Sequence, residues 1–312
     1  MQPSWDGLAP AKVNLFLHVG PVRPDGYHPV ASWMVFADIG DALSLRPAAA
    51  WRFVLEGETA GAIDPGENLV ERAARLLFEA AGIAPPPVEL RLRKSLPVAA
   101  GLGGGSSDAG AALRLLNARL DAPLGSDALE AVAASLGADG PACLHVRPVL
   151  ATGVGEILAP APEHPPLPAV LVNPRRPSPT GAVYRAYDSG PVGGADMPNL
   201  PGRMAGPEAV VAALAATRNA LEAPAEALEP AIGEVLTLLR GKPETLLARM
   251  SGSGATGFAL CADPGSALAL AARLQAEHPE WWVRACTLCS PSEDPSRTRE
   301  QGQPPACRTA YR

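Results

Sequence analysis

Apolar residues along the chain follow two periods, which predict strands and helices in separate segments. Short apolar runs with β-branched or aromatic members, bounded by Pro and Gly, predict strands. Apolar residues spaced three or four apart predict amphipathic helices. The predicted strands cover residues 13–19, 51–55, 88–92, 169–173, 258–261 and 282–288, and residues 33–45 are predicted as strand, turn and strand. The predicted helices cover residues 68–81, 127–136, 208–221, 226–240 and 266–277, and another follows the glycine run at 101–105.

The stretches that lack either period indicate how the chain is organised. Residues 159–168 are rich in Pro and predict a linker with a domain boundary near residue 165. We therefore expect one domain at 1–164 and a second at 165–289. From Ser290 onward the chain is polar, and residues 290–312 predict a disordered tail.

Composition narrows the class of protein. The 312 residues are 47% hydrophobic, enough for a sizeable core in one large domain or two smaller ones. A net charge of −6 argues against a nucleic-acid partner, because such proteins usually present a basic surface. The N-terminus has no charged start followed by an apolar stretch, and no apolar run reaches the length of a membrane span. Neither a signal peptide nor a membrane partner is predicted.

The cysteines suggest reduced thiols. There are five, namely Cys143, Cys261, Cys286, Cys289 and Cys307. An odd number in a chain of this length argues against a disulfide framework and favours a cytoplasmic protein. Cys286 and Cys289 form one CxxC pair, but no second pair or suitably placed His accompanies it, so no zinc site is predicted.

A glycine-rich segment before a predicted helix is the most informative part of the sequence. Residues 96–112 read LPVAAGLGGGSSDAGAA. Glycine lets a ligand approach the backbone closely, and Ser and Asp are good helix N-caps. The first N–H groups of a helix have no internal partner and carry partial positive charge. The segment therefore predicts a cradle for an anion, best suited to phosphate.

The details of this segment exclude two common phosphate motifs. No Lys follows the glycines, as a Walker A loop requires, and Ser106 stands where the dinucleotide motif has its third Gly. A flexible loop before an ordinary capped helix is the alternative that the residues alone leave open.

Lys12 and Asn14 stand two residues apart in an apolar segment, so they share one face of the predicted strand. An unpaired ammonium in apolar surroundings is costly. A lysine at a strand end can avoid that cost by extending into solvent. The alternative is a lysine that faces a phosphate or a catalytic carboxylate, with Asn14 beside it as part of a polar wall.

Asp139 lies in LGADGP, between Gly137 and Gly140, where the backbone must turn tightly. An Asp in this setting commonly closes an Asx-turn or caps a helix. It can also be a fixed carboxylate that takes the proton of a hydroxyl. Paired with a lysine that spreads charge from a phosphoryl group, it would suit phosphoryl transfer.

Two further loops carry groups suited to a ligand. Residues 23–28, RPDGYH, contain a Pro-Asp-Gly turn followed by Tyr27 and His28. These two side chains could be merely exposed, or could stack on and hydrogen-bond a flat heterocycle. Residues 251–257, SGSGATG, are a second small-residue loop that could approach a phosphate or form a structural turn.

Together these motifs resemble the GHMP small-molecule kinases. Residues 97–108 are similar to the ATP loop of that family. APAKVNLFL, RPDGYHPV, ENLVERAARLL, LPVAAGLGGGSSDA, LGADGPACL, GVGEIL and SGSGATG follow in the order expected for one of its branches, from residue 9 to 288. RPDGYH distinguishes that branch, because other GHMP kinases have different loops on the acceptor side.

The resemblance implies an α+β fold of two domains with the active site in the cleft between them. The N-terminal domain would be similar to domain 2 of ribosomal protein S5, and the C-terminal domain would be ferredoxin-like. The implied reaction moves a phosphoryl group from ATP, with Mg²⁺, to a hydroxyl of a small molecule that carries a cytosine. A monomer or a weak homodimer is expected.

The resemblance also implies a role for each candidate residue. Lys12 and Asp139 would be the catalytic pair. Asn14, Tyr27, His28, Thr180 and Tyr184 would contact the acceptor, with the two tyrosines on opposite faces of the base. The ATP-binding residues would be Pro97, Val98, Ala99, Ala100, Gly101, Leu102, Gly103, Gly104, Gly105, Ser106 and Ser107. No protein ligand of Mg²⁺ is identified.

Two positions depart from the family pattern, and two other functions compete with this interpretation. Ala220 stands where the family usually has Asp, and Cys143 where it often has an aromatic residue. A GHMP kinase for another alcohol, of the homoserine or mevalonate type, is one alternative, against which RPDGYH and Tyr184 argue. A non-catalytic nucleotide-binding protein is the other, but it would be expected to lack Lys12 or Asp139.

Overall fold

The computed structural model describes residues 5–63 and 68–288. The strands are β1 (Trp5–Val19), β2 (Val30–Pro47), β3 (Arg52–Gly57), β4 (Val88–Lys94), β5 (Val149–Thr152), β6 (Ile157–Pro160), β7 (Leu167–Asn173), β8 (Thr245–Met250), β9 (Gly257–Cys261) and β10 (Trp282–Leu288). The helices are α1 (Leu69–Ala80), α2 (Gly104–Asn117), α3 (Ser126–Ser135), α4 (Gly140–His145), α5 (Thr180–Asp188), α6 (Pro207–Leu214), α7 (Glu222–Leu228), α8 (Pro230–Arg240) and α9 (Pro264–Glu277). The predicted tail at 290–312 and the second cysteine of the CxxC pair, Cys289, lie outside the described residues.

The N-terminal half is a sheet covered by helices. The long strands β1 and β2 pair antiparallel, β2 also pairs with β4 and β5, and β3 runs parallel to β4. The inward faces of these strands and of α1 and α2 form one apolar core, in which Leu43, Leu77 and Leu113 are almost completely buried. Burial of such side chains typically stabilises a fold by about 1.5–3 kcal/mol each.

The C-terminal half is ferredoxin-like. Its chain runs β7, helices α5 to α8, β8, β9, α9 and β10, and the strands lie in the order β10-β7-β9-β8, all antiparallel. This is the β-α-β-β-α-β arrangement of that fold. Leu288 of β10 pairs with Ala37 of β2, so the strands of the two halves form one continuous sheet.

Several predicted elements are confirmed and others need correction. Residues 33–45 belong to one uninterrupted strand, β2, rather than to two strands with a turn. Glycine is needed at position 40 because β1 and β2 approach each other closely there, and a Cβ would lie 2.0 Å from the Ala9 carbonyl oxygen. The predicted helix at 226–240 is divided into α7 and α8 at Pro230, whose ring cannot continue a helix.

Other elements are not predicted by the hydrophobic pattern. The short strands β5, β6 and β8 and the helices α4 and α5 were not predicted. Residues 159–168, expected to be a linker, include the end of β6 and the start of β7, while the helix expected at 208–221 ends at Leu214. In the described part of the chain, no helix is both long and apolar enough to cross a bilayer.

The contact between α2 and α4 positions the residue just before α4, which is Asp139. A Cβ on Gly110 of α2 would lie 2.5 Å from the Cys143 carbonyl oxygen, so only glycine permits this approach. Arg114 of α2 donates to the carbonyl oxygens of Cys143 and Leu144, at 2.7 and 3.0 Å. The two helices are therefore held at a fixed separation at Cys143 and Leu144, and the Cys143 N–H donates in turn to the Asp139 carbonyl oxygen at 2.9 Å.

We expect Gly110→Ala to lower the free energy of unfolding by about 1–3 kcal/mol, because the added methyl group overpacks this contact. Gly202→Ala is the matched control, since no atom lies within 4 Å of a Cβ placed there. Urea unfolding of the two variants and the wild type measures the effect. Equal stability of the three proteins would contradict the assigned role of Gly110.

Candidate active site

Lys12 enters the site from a distorted part of β1. The pairing of β1 with β2 shifts register between Pro10 and Lys12 and again between Asn14 and Phe16. Such bulges redirect side chains, and these two bracket Lys12 and Asn14. The two residues are 5% and 2% exposed, and Lys12 Nζ donates to Asn14 Oδ1 at 2.8 Å. They form one buried polar wall.

Asp139 supplies the negative partner of Lys12. Its Oδ2 atom lies 3.0 Å from Lys12 Nζ, and its side chain is 29% exposed, against 6% for that of Lys12. Asp139 directly precedes α4, but its side chain makes no capping hydrogen bond to that helix. The helix-cap interpretation that the local sequence allowed is therefore wrong. The carboxylate contacts the lysine and leaves part of its surface open.

Asn14 is fixed by contacts to both halves of the chain. Its side-chain amide donates to Ser32 Oγ at 2.7 Å, and the Ser32 hydroxyl donates to the Phe16 carbonyl oxygen. The backbone N–H of Asn14 donates to Ser251 Oγ at 3.2 Å, across 237 residues of sequence. The orientation of the polar wall therefore depends on the second glycine loop.

The two glycine loops pack directly against each other. Ser251 Oγ donates to the Gly101 carbonyl oxygen at 2.8 Å, and the Thr256 N–H donates to that of Ala100 at 3.1 Å. Gly101 has a φ of 73°, and a Cβ there would lie 2.2 Å from the Ser251 carbonyl oxygen. Glycine is required at position 101 by backbone conformation and by this contact.

The glycine loop leads into α2 without a side-chain cap. Gly103 occupies the N-cap position with a φ of 62°, and Ser106, Ser107 and Asp108 all lie inside the helix. The expectation that Ser or Asp caps this helix is wrong, since Ser107 Oγ donates instead to the Pro10 carbonyl oxygen at 2.6 Å. The first N–H groups of α2 remain available to an anion.

These elements enclose a cleft of about 440 Å³. The predicted residues that line it are Lys12, Asn14, Asp139, Thr180, Tyr184, Pro97, Val98, Ala99, Ala100, Gly101, Gly103, Gly104, Gly105 and Ser106. Leu102 and Ser107 do not line it, because both side chains are buried beneath the loop. Ile63, Leu69, Val70 and Leu92 add an apolar wall beside the glycine loop.

The acceptor-side candidates are only partly brought together. Thr180 Oγ1 lies 2.8 Å from Ser253 Oγ, and the His28 and Tyr184 rings lie 4.8 Å apart at 41°. Burial raises the pKa of Tyr184 to about 12. Tyr27 is 62% exposed and lies outside the cleft lining, as does His28. The turn that carries Tyr27 is closed by its own groups, since the Tyr27 N–H donates to Asp25 Oδ1 at 3.0 Å.

A buried ion triad beneath the glycine loop was not predicted. Lys94 Nζ donates to Asp41 Oδ2 and, at 2.6 Å, to Asp108 Oδ2. Asp41 Oδ1 also accepts from the N–H groups of Ser95 and Leu96. The triad therefore ties both ends of the glycine loop to β2 and β4. Lys94 and Asp108 also line the cleft.

Charge is unevenly balanced in this triad. Burial raises the pKa of Asp108 to about 7. Repulsion from Asp41 raises it further, whereas attraction by Lys94 lowers it. Burial alone would lower the pKa of Lys94, but attraction by Asp108 and Asp41 outweighs it and leaves that pKa raised. Asp108 Oδ1 is buried and has no hydrogen-bond partner among the described residues.

The sequence and the architecture match one family of kinases. The family model for the GHMP kinases N terminal domain matches residues 68–146, and the model for the GHMP kinases C terminal matches residues 207–280. A homoserine kinase from Cytophaga hutchinsonii, 20% identical with a TM-score of 0.67, covers 93% of this chain and 96% of its own and shares the fold. The chain belongs to the GHMP kinase family, as its glycine loop indicated, and the two-domain α+β fold is confirmed.

Its relatives define a narrower group within that family. The 4-diphosphocytidyl-2-C-methyl-D-erythritol kinase of Caulobacter vibrioides strain NA1000 is 59% identical over 284 residues, covering 90% of this chain and 98% of the relative. The enzyme of the same name from Paramagnetospirillum magneticum is 49% identical, with 90% and 98% covered. A crystal structure of 4-(cytidine 5'-diphospho)-2C-methyl-D-erythritol kinase, 38% identical, matches with a TM-score of 0.74 over 91% of this chain and 99% of that one. The chain belongs with these kinases.

Two glycines of the loop should respond differently to Ala. A Cβ at Gly103, where φ is 62°, would lie 3.0 Å from Lys12 Cε, whereas one at Gly104 would lie 3.5 Å from the nearest atom, Lys94 Nζ. We expect Gly103→Ala to lower kcat about tenfold or more by displacing Lys12. Gly104→Ala is the matched control and should keep kcat within about twofold. Steady-state kinetics checks this, and equal kcat values for the two variants would contradict it.

The triad should also make stability depend on pH. Between the ordinary pKa of Asp, about 4, and about 7, folded Asp108 holds a proton that the unfolded chain has lost. The free energy of unfolding of the wild type should therefore fall as pH rises through this window. Asp108→Asn has no such proton, so its stability relative to the wild type should increase between those two pH values and level off above them.

Urea unfolding at a series of pH values measures this difference. Asp121→Asn is the matched control, since Asp121 is exposed, and should show no such trend. A difference between Asp108→Asn and the wild type that does not change with pH would contradict the assigned proton.

Proposed function

We propose that this chain transfers the γ-phosphoryl group of ATP to the 2-hydroxyl of 4-diphosphocytidyl-2-C-methyl-D-erythritol, in the methylerythritol phosphate route to isoprenoid precursors. The observation that carries the proposal is the Lys12–Asp139 pair, 3.0 Å apart. It lines one cleft together with the glycine loop and with Thr180 and Tyr184. A donor site and an acceptor site thus meet at one ion pair.

The glycine loop would hold the phosphates of ATP. Gly103, Gly104 and Gly105 present backbone rather than side chains to the cleft, and the first N–H groups of α2 carry partial positive charge. The apolar wall that includes Leu69 and Val70 suits a flat base. Leu102 and Ser107 would act by shaping the loop, because the Leu102 carbonyl oxygen accepts from the Lys12 N–H at 2.8 Å.

Asp139 would orient the acceptor hydroxyl and take its proton. Its partly open carboxylate suits a group that must reach a ligand. Lys12, held by both Asp139 and Asn14, would spread negative charge away from the transferring phosphoryl group. Phosphoryl transfer relies mainly on such positioning and charge stabilisation.

The acceptor base would lie at Tyr184. Stacking on an aromatic ring is typically worth about 1–3 kcal/mol per base. Tyr27 would be the second stacking residue. Its exposed ring would then have to turn onto the base when the acceptor binds. Thr180, beside Ser253, would contact the same ligand nearer the reaction centre.

Mg²⁺ would accompany ATP. The described residues contain no group of three His, Cys, Asp or Glu side chains that could hold a metal ion. Mg²⁺ commonly uses one or two carboxylates together with substrate phosphates and water, so the cleft fits the ion. The Ser106 hydroxyl, which lines the cleft, would hold it together with the phosphates, and the ion would supply neutralisation of phosphate charge. We also propose that the chain acts in the cytoplasm, as a monomer or weak homodimer, with its domain boundary near residue 165.

Release of ADP with different acceptors tests the proposed reaction. We expect rapid ATP-dependent turnover with 4-diphosphocytidyl-2-C-methyl-D-erythritol and at least about a hundredfold lower kcat/KM with homoserine or mevalonate, which lack the base. Faster turnover with homoserine or mevalonate would instead assign the chain to another alcohol. Binding of ATP without turnover of any acceptor would favour a non-catalytic nucleotide-binding protein.

Asp139→Asn should separate chemistry from binding. The change keeps the size of the side chain but removes the base, so we expect kcat to fall by about 10²–10⁴-fold. Both substrates should still bind to the folded variant, measured by calorimetry. Asp121→Asn is the control, because Asp121 is exposed and does not line the cleft. Near-normal kcat in the Asp139 variant would remove this residue from the mechanism.

A further inference from the structure

The connection between α6 and α7, residues 215–221, packs directly against β1 at the cleft. The Leu17 N–H donates to the Arg218 carbonyl oxygen at 2.9 Å, and the Ala220 N–H donates to the Leu17 carbonyl oxygen at 2.7 Å. Leu17 lines the cleft, as does Leu221 at the end of the connection. Position 220 thus contributes to this contact through its backbone, which Ala supplies as well as Asp would.

Asn219 lies in the middle of these contacts and is 6% exposed. Its side-chain amide donates to the Met250 carbonyl oxygen at 2.8 Å and to the Gly252 carbonyl oxygen at 2.7 Å. Asn219 Oδ1 accepts from the Leu221 N–H at 2.9 Å. The two carbonyl oxygens require the amide nitrogen on their side, and the N–H requires the amide oxygen. Both donors of the side chain therefore hold the start of the second glycine loop.

The loop held in this way lies directly beside the polar wall. A Cβ at Gly252 would lie 3.4 Å from Asn14 Oδ1. Ser251 Oγ accepts from the Asn14 N–H, and Asn14 Oδ1 accepts from Lys12 Nζ. In the described part of the chain, only Asn219 donates to the Gly252 carbonyl oxygen. The position of the loop against Asn14 therefore depends on the Asn219 amide.

We infer that Asn219 is a positioning residue for phosphoryl transfer, which acts through the second glycine loop on Asn14 and so on the ammonium group of Lys12. The inference rests on the proposed function, because it concerns the reaction at Lys12. The competing interpretation is that Asn219 only forms the turn before α7, since its Oδ1 accepts from an N–H two residues further on, as in an Asx-turn. Positioning needs the donors of the side chain, whereas the turn needs only its acceptor.

Asn219→Asp separates the two interpretations, because it keeps the acceptor and the size of the side chain but replaces the donor group with an oxygen. A carboxylate cannot donate to the two carbonyl oxygens, and a protonated carboxyl group can donate to only one of them. At least one hydrogen bond to the loop is lost in either state. We expect kcat to fall about tenfold or more through misplacement of Lys12, with KM for ATP within about threefold of the wild type.

Asn117→Asp is the matched control. Asn117 is 8% exposed, and its side chain likewise donates to a carbonyl oxygen and accepts from an N–H, both of Leu124, at 3.1 and 2.8 Å. It is the last residue of α2 and does not line the cleft. The control should lower Tm but keep kcat within about twofold of the wild type. If Asn219→Asp behaves in the same way, Asn219 is only structural and the inference is wrong.

A second variant covers the case in which Asn219→Asp does not fold. In Asn219→Ser the hydroxyl can still accept from the Leu221 N–H, as serine does in turns, but it can donate only one hydrogen bond. We expect the same fall in kcat, with Asn117→Ser as its control. A kcat within about twofold of the wild type in Asn219→Ser would contradict the inference.

Hydrogen exchange provides a readout that does not depend on turnover. Since the Asn14 N–H donates to Ser251 Oγ, displacement of the loop should open this amide to solvent. Measured by NMR equally far below the Tm of each protein, the Asn14 N–H should exchange faster in Asn219→Asp than in Asn117→Asp or the wild type. Equal exchange rates would overturn the inference. Absence of turnover by the wild type, with the expected difference in exchange, would instead count against the proposed function.

Discussion

The cost of keeping a charged lysine inside a β-sheet constrains this structure more than any other single feature. Lys12 is 5% exposed, and burial of an ammonium group is tolerated only with a partner. Asp139 and Asn14 provide that partnership. Asp139 keeps its place through the close contact of α2 and α4, and Asn14 through Ser251 of the second glycine loop. The packing of both halves thus converges on one ion pair.

This arrangement explains why the reaction centre is assembled from distant parts of the chain. The glycine loop is tied at both ends by the Asp41–Lys94–Asp108 triad and in its middle by the loop at 251–256. Neither contact is between neighbours in sequence. The loop geometry, and with it the direction of the first N–H groups of α2, is therefore a property of the whole fold.

The sequence predicts the features that depend on neighbouring residues and does not predict those that depend on distant contacts. The glycine run, the two-residue spacing of Lys12 and Asn14 and the periodicity of α1 are local signals, and they lead to the right family and fold. The segment LGADGPACL predicts a turn because its helix, α4, has only six residues and is too short to show a helical period. Gly40 also predicts a turn, although glycine is needed there because β1 and β2 approach each other closely. The pairs Lys94–Asp41 and His28–Asp188 are 53 and 160 residues apart. Hydrophobic pattern and turn chemistry hold no information on such contacts.

The most direct test of the central ion pair is a double-mutant cycle with kcat as the measured quantity. Lys12→Met, Asp139→Asn and the double variant are compared with the wild type by ADP release under saturating substrates. If the two side chains act as one unit, each single change should remove most of the activity. The double variant should then be about as impaired as the worse of the two single variants. Losses of kcat that multiply would show two independent residues and contradict the pair.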